Sequence, residues 1–117
     1  MASDALFCGW NRPIPGREST AVEVFGQWTA FLEKQKSAGN VESYEHMFLH
    51  PHGGDMNGFT LVRGDRVKLD NLRGTEEFFD LLTRIGLLVD GFGVVPGFIG
   101  DNIMKQMGRY TKAIPPK

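Results

Sequence analysis

The sequence predicts an α+β fold of ferredoxin-like type, and three features carry that prediction. Strand-type and helix-type apolar patterns follow one another as β-α-β-β-α-β-α, a split β-α-β pattern with one extra helix at the end. A chain of 117 residues, 41% hydrophobic and 23% charged, suits one core without disulfide staples. The first and last strands are apolar on both faces, which a sheet covered by helices on one side alone does not require. The expectation is one domain over residues 1–117, with 111–117 as a flexible tail.

Each element has its own local reason. Ala5 to Asn11 is short, apolar and aromatic, and is stopped by Pro13 and Pro15-Gly16. Arg17 to Ala38 carries Ala21, Phe25, Trp28 and Leu32 at 4-3-4 spacing, with Val24 and Phe31 beside them, which is one helical face. Glu18 and Glu23 suit its positive N-terminal end, Lys34 and Lys36 its negative C-terminal end. Gly39-Asn40 supplies the stop.

Val41 to His50 and Met56 to Arg63 alternate as strands, joined by the turn-rich Pro51-His52-Gly53-Gly54-Asp55. Gly64-Asp65 opens a short helix through Leu69 and Leu72 that Gly74 closes. Thr75 is an N-cap for a second helix, with Glu76 and Glu77 in its first turn and Gly86 at its end. Leu87 to Val95 is expected as the fourth strand, ended by Pro96-Gly97. A last helix over about Asp101 to Tyr110 places Ile103, Met107 and Tyr110 on one stripe.

The charge balance excludes some partners. Thirteen Lys and Arg stand against 14 Asp and Glu, a net charge of -1. With no basic run, counterion release gives little drive toward nucleic acid. Cys8 is the only cysteine, so no internal disulfide forms, which fits a reducing compartment. The first ten residues lack a signal-peptide pattern. No apolar stretch approaches the ~20 residues that span a bilayer. The expectation is a cytoplasmic protein with no membrane and no nucleic-acid partner.

The strands also predict a partner. Leu6, Cys8 and Trp10 form one face of the first strand, Ala5 and Phe7 the other. In the last, Leu87, Val89 and Val95 oppose Leu88, Phe92 and Val94. Helices hide only one face, so a second copy is expected to cover the other as a homodimer through the sheet.

Several polar residues draw attention. His46 and His50 share a strand face with Glu42, Tyr44 and Phe48, an imidazole and phenol edge beside aromatic surface that suits a small-molecule pocket and proton transfer near neutral pH. Asp90, inside an apolar run, needs a partner or water. His46, His50 and Asp90 are therefore the candidate catalytic groups. Tyr44, Asn57, Arg63 and His52 are the candidate ligand-binding groups, Asn57 and Arg63 as a pair for an anionic group. His50-Pro51-His52-Gly53-Gly54-Asp55 has the donor types of a divalent-metal site. Its only other histidine, His46, leaves it short of ligands, so a polar hairpin loop without metal is expected. Gly91-Phe92-Gly93-Val94-Val95-Pro96 lacks the third glycine of a dinucleotide fingerprint. Cys8 fits a core position better than a nucleophile.

With these residues in view, the layout resembles the dimeric α+β barrel superfamily, in which two ferredoxin-like sheets pack face to face. The similarity rests on Phe7-Cys8-Gly9-Trp10, the Trp28-centred helix, the Thr75-Glu76-Glu77-Phe78 cap and Leu87-Val89-Asp90, and covers about Ala5 to Val95. Members include cofactor-free monooxygenases, haem-binding and haem-degrading enzymes, and small lyases. Trp10, Asn11 and Trp28 are similar to the Trp and Asn of haem-degrading members. Those members hold iron through a helical His, whereas every His here lies on a strand or loop, so no cofactor is expected. The resemblance implies a small-molecule-binding protein or cofactor-free enzyme, monooxygenase-like or lyase/isomerase-like, with its pocket between sheet and helices. The alternative is a non-catalytic dimeric binding or interaction protein.

Overall fold

The computed structural model describes residues 1–116. Four strands, β1 (Asp4–Trp10), β2 (Ser43–Phe48), β3 (Gly58–Gly64) and β4 (Gly93–Phe98), form an antiparallel sheet in the order β2-β3-β1-β4. The helices are α1 (Glu18–Ser37), α2 (Arg66–Arg73), α3 (Glu76–Gly86) and α4 (Asp101–Ala113). The fold is therefore α+β and ferredoxin-like, as the order of apolar patterns predicts.

Register sorts the side chains. Cys8 lies opposite Thr60, and Thr60 opposite His46, so even-numbered residues of β1 and β3 share the face that α1 and α3 cover. Leu6, Cys8, Thr60 and Val62 on that face are all but inaccessible. They pack under Val24, Trp28, Phe31 and Leu32 of α1, and Phe78, Leu81 and Ile85 of α3. The buried stripe of α1 is centred on Val24, Trp28 and Phe31. Ala21 and Phe25, expected at its centre, are only half-buried. The caps follow local chemistry: Asp65 accepts from the Lys68 N–H, and Thr75 accepts from the Phe78 N–H, each taking up an orphan donor of the first turn.

The expected fourth strand over Leu87–Val95 is displaced. Leu87 caps α3, Val89 makes only an isolated bridge to Pro13, and β4 starts at Gly93 and runs through Pro96. β4 is an edge strand, where a proline's missing N–H is tolerated. The segment from α3 to β4 instead pairs with the one leaving β1. The Asn11 N–H donates to the Asp90 carbonyl, the Asp90 N–H to the Arg12 carbonyl, and the Ile14 N–H to the Leu88 carbonyl. The last helix is longer than expected and takes in Thr111 to Ala113 of the predicted tail. Lys117 lies outside the described residues.

Candidate functional site

The segment pairing just described forms one wall of a cavity of about 390 Å³. Trp10 closes the end of β1, and Phe48 the end of β2. Ala21, Val22, Val24, Phe25 and Trp28 of α1 form the roof. Ile85, Leu88, Val89, Phe92 and Pro13 complete the lining. All twelve are apolar or aromatic. The rings of Phe25, Trp10 and Phe48 meet edge to face or tilted, with centroids 5.4–6.1 Å apart, the spacing aromatic quadrupoles favour. Gly58 makes room for this: a Cβ there would stand 2.7 Å from the Trp10 ring, so only a glycine lets that indole lie across β3.

Behind the aromatic wall runs a chain of hydrogen bonds whose direction can be assigned. Thr29 donates its hydroxyl hydrogen to the Phe25 carbonyl at 3.1 Å, while His46 Nε2 lies 3.0 Å from the Thr29 hydroxyl oxygen. A hydroxyl has one hydrogen, so Nε2 carries the proton and donates. His46 Nδ1 is then the acceptor, taking the Thr60 hydroxyl at 2.8 Å. Thr60 in turn accepts from Trp28 Nε1–H at 3.2 Å. Donors therefore run from Trp28 through Thr60, His46 and Thr29 to the Phe25 carbonyl. Burial lowers the His46 pKa below the ordinary 6.5. Thr60, fully buried, would lose His46 as its acceptor if Nδ1 gained a proton. His46 is thus neutral, with both ring nitrogens engaged, and its ring packs on Phe25 at 4.6 Å between centroids.

The other predicted site residues are dispersed. Tyr44 neighbours His46, ring centroids 5.7 Å apart, but its hydroxyl donates to Glu33 at 2.7 Å, and that bond raises the phenol's pKa. Asp90 is exposed on the loop before β4, three strand positions from His46 in the sheet order, about 14 Å before any offset along the strands. His50 is exposed beyond the end of β2, and His52 Nδ1 lies 2.9 Å from the His50 carbonyl. Among the described residues, no group of three or more His, Cys, Asp or Glu is placed to hold a metal. Asn57 precedes β3 and donates to the Asn11 side chain. Arg63 projects from the opposite face of the sheet and pairs with Glu45 at 2.7 Å. The expected Asn57–Arg63 pair is not formed. Burial pushes the Cys8 thiol up to about 12, against a smaller lowering by Arg73, so it stays protonated and unreactive.

Sequence reasoning missed Thr29 and Thr60. The network they complete spans three elements, α1, β2 and β3, and the His46–Thr60 contact is visible only once β2 and β3 are in register. It also missed the Val89 and Phe92 side of the cavity, having placed those residues in a strand.

No protein-family model matches the chain, and no curated protein does. Solved structures do share its fold. A Bacteroides thetaiotaomicron protein of unknown function, described as a possible oxidoreductase, superposes with a TM-score of 0.63 at 14% identity, over 85% of this chain and 100% of its own. A dimeric ferredoxin-like protein of unknown function from Bacteroides fragilis gives 0.59 at 7% identity, over 82% and 96%. SnoaB, a cofactor-independent oxygenase from Streptomyces nogalater, gives 0.51 at 16% identity, over 85% and 93%. At these identities the likeness concerns the fold. Ferredoxin-like proteins described as dimeric are among these neighbours. Among the described residues, no helix is long and apolar enough to cross a membrane.

Proposed function

We propose that this protein binds an uncharged, largely apolar organic molecule in the cavity between α1, α3 and the ends of β1 and β2. The observation that carries this is the lining: twelve apolar residues around about 390 Å³, a volume in the range of ligand pockets. The polar groups behind its aromatic wall, those of the Trp28–Thr29 network, are already hydrogen-bonded. A charged ligand would lose its hydration there with nothing in return. Each 100 Å² of apolar ligand surface buried gains about 2.5 kcal/mol before association costs.

The test uses N-phenyl-1-naphthylamine, an uncharged fluorophore. Its emission should rise on binding and the melting temperature should rise with it, by several degrees at 100 times the dissociation constant. Ala21→Phe, which fills the cavity from α1, should remove both effects. Equal binding by wild type and Ala21→Phe would refute the assignment.

A second reading, a cofactor-free enzyme, rests on His46 lying directly behind Phe25, with SnoaB as the neighbour of that chemical type. Of the candidate catalytic groups His46, His50 and Asp90, His46 is the one next to the cavity wall. This reading requires that a bound ligand be consumed. His46→Gln should then slow consumption by the 10²–10⁴-fold typical of lost acid–base catalysis. Ligand recovered unchanged from the wild-type chain leaves binding as the function.

The working unit in either reading is a homodimer through the uncovered sheet face. Phe7, Phe59 and Leu61 lie there half-buried, Met47 and Val95 more than half exposed, and the Phe7 and Phe59 rings stack at 5.0 Å. Light scattering should report twice the 13.0 kDa chain mass.

A further inference from the structure

Resting on the apolar-ligand reading of the cavity, we propose that its ligand carries one uncharged acceptor, a ketone-type carbonyl oxygen, and that the Trp10 indole N–H is the donor that orients it. The observation is a difference between the chain's two tryptophans. Both line the cavity, and they alone among its twelve lining residues carry a side-chain hydrogen able to form a hydrogen bond. The rest are Ala, Val, Leu, Ile, Phe and Pro.

A buried indole N–H normally finds a partner. Trp28 follows that rule: it is 2% exposed, and its Nε1–H donates to Thr60 at 3.2 Å. Trp10 does not. The residue is half-buried, yet its Nε1–H donates to no group among the described residues. Nor is that N–H sealed away, because no polar side-chain atom among those residues is both inaccessible and unpaired. It is an open donor on an otherwise apolar lining.

The indole that carries this donor is held on several sides. Trp10 lies opposite Gly58 in the β1–β3 register, and its carbonyl accepts from the Asn57 N–H at 3.0 Å. The indole packs on Gly58 so closely that a Cβ there would stand 2.9 Å from Nε1. The rings of Phe25 and Phe48 flank it with centroids 6.0 and 6.1 Å away, and both also line the cavity. A side chain already fixed between strand and rings loses little further freedom when its N–H is bonded.

An indole N–H donates and does not accept, so it selects an acceptor on the ligand. A carbonyl gives up its bonds to water on entering an apolar cavity, and one donor there offsets that loss. A carboxylate gives up far more, which a single neutral donor does not offset. A ligand with no polar atom would leave the Trp10 N–H dry and unpaired, which is costly as well. One neutral acceptor matches the one open donor.

The test uses three ligands on one diphenyl frame, benzophenone, diphenylmethane and diphenylacetate, titrated calorimetrically into wild type and Trp10→Phe. The affinity of benzophenone relative to diphenylmethane should fall about 10-fold from wild type to Trp10→Phe, as the loss of one hydrogen bond implies. Diphenylmethane should bind the variant at least as well as wild type, which also reports that the cavity survives the substitution. A second measurement needs no variant to fold. In the proton spectrum of wild type, the Trp10 indole N–H should move downfield with benzophenone and not with diphenylmethane, whose rings are the same. The Trp28 N–H, already bonded to Thr60, should respond alike to both. An unchanged affinity ratio in Trp10→Phe, or a Trp10 N–H that does not distinguish the two ligands, overturns the donor and leaves the apolar cavity standing. Diphenylacetate bound more tightly than benzophenone overturns the neutral carbonyl as the ligand class. Absence of benzophenone binding where N-phenyl-1-naphthylamine binds overturns this proposal alone, and absence of both overturns the cavity reading with it.

Discussion

The two faces of the sheet are built from the same strands, and they end in opposite states. On the helix side, Leu6, Cys8, Thr60 and Val62 are at most 1% exposed, and the half-buried His46 beside them has both ring nitrogens bonded. On the other side, one residue along each strand, Met47 and Val95 are more than half exposed, and the Arg63–Glu45 pair lies partly in water. Since alternate residues of a strand point to opposite faces, the two sets share backbone, register and local propensity. Only what covers them differs. The chain completes one face with α1 and α3 and leaves the other uncovered, the face that the proposed homodimer would bury.

The sharpest way to break this comparison is to truncate one apolar side chain on each side. Phe78 of α3 is 1% exposed at the centre of the covered core, in ring contact with Trp28 and Phe31 at 6.1 Å. Phe78→Ala should cost about 3–5 kcal/mol in urea unfolding, transfer and cavity terms together. Val95→Ala should cost about 0.5 kcal/mol or less at dilutions where the chain is monomeric, and more where it is dimeric. A Val95→Ala cost that is large and independent of concentration would mean that the second face is completed within the chain.

A smaller effect is expected from Thr60→Val, which keeps side-chain shape and removes one hydroxyl. Trp28 Nε1–H loses its acceptor and His46 Nδ1 its donor. An unmade hydrogen bond at a buried group costs about 1–3 kcal/mol, and His46 retains partial access to water, so the sum should fall near 2–3 kcal/mol. Thr29→Val, nearer the surface, should cost less. Equal costs for the two variants would contradict the placement of Thr60 at the fully buried end of the network and Thr29 nearer the surface.

The same comparison explains what could be read from the sequence. Helix α1, its charged ends, the Asp65 and Thr75 caps and the order of elements along the chain were legible because each depends on neighbours within a turn or on a simple period. The two-faced apolar character of β1 was legible for the same reason. Strand β4 was misplaced by several residues: Leu87 and Leu88 finish α3, and a short apolar run next to a helix end has no period that separates the two states. Among the candidate site residues, His46, Tyr44 and Phe48 do share the helix-side face, since alternation within β2 decides it. Asp90 followed the strand error onto an exposed loop. The Asn57–Arg63 pairing failed because β3 starts only at Gly58, leaving Asn57 outside the alternation. Thr29 and Thr60 become functional neighbours of His46 only through long-range packing, which no local pattern encodes.

The smallest expected effect is a pH dependence confined to the covered face. His46 is held neutral there, its pKa lowered from 6.5 by burial. In the unfolded chain the imidazole returns to about 6.5. Between the folded value and 6.5 the unfolded state therefore binds more protons, and stability rises with pH across that interval. The contribution is fully present above about 6.5, and is lost as pH falls through the folded value. Protonation has a local consequence as well. A proton on Nδ1 meets the Thr60 hydroxyl, which must then release its own hydrogen bond while still accepting from Trp28. The cavity wall formed by Trp28 and Phe25 is thus tied to the charge on a histidine that does not itself line the cavity. Denaturant midpoints measured from pH 7.5 down to 5 should fall for the wild type. His46→Gln, which has no charge to gain, should remove that part of the slope. If the wild type and His46→Gln fall in parallel across the whole range, His46 titrates alike in both states, and the closed network behind the aromatic wall does not hold it neutral.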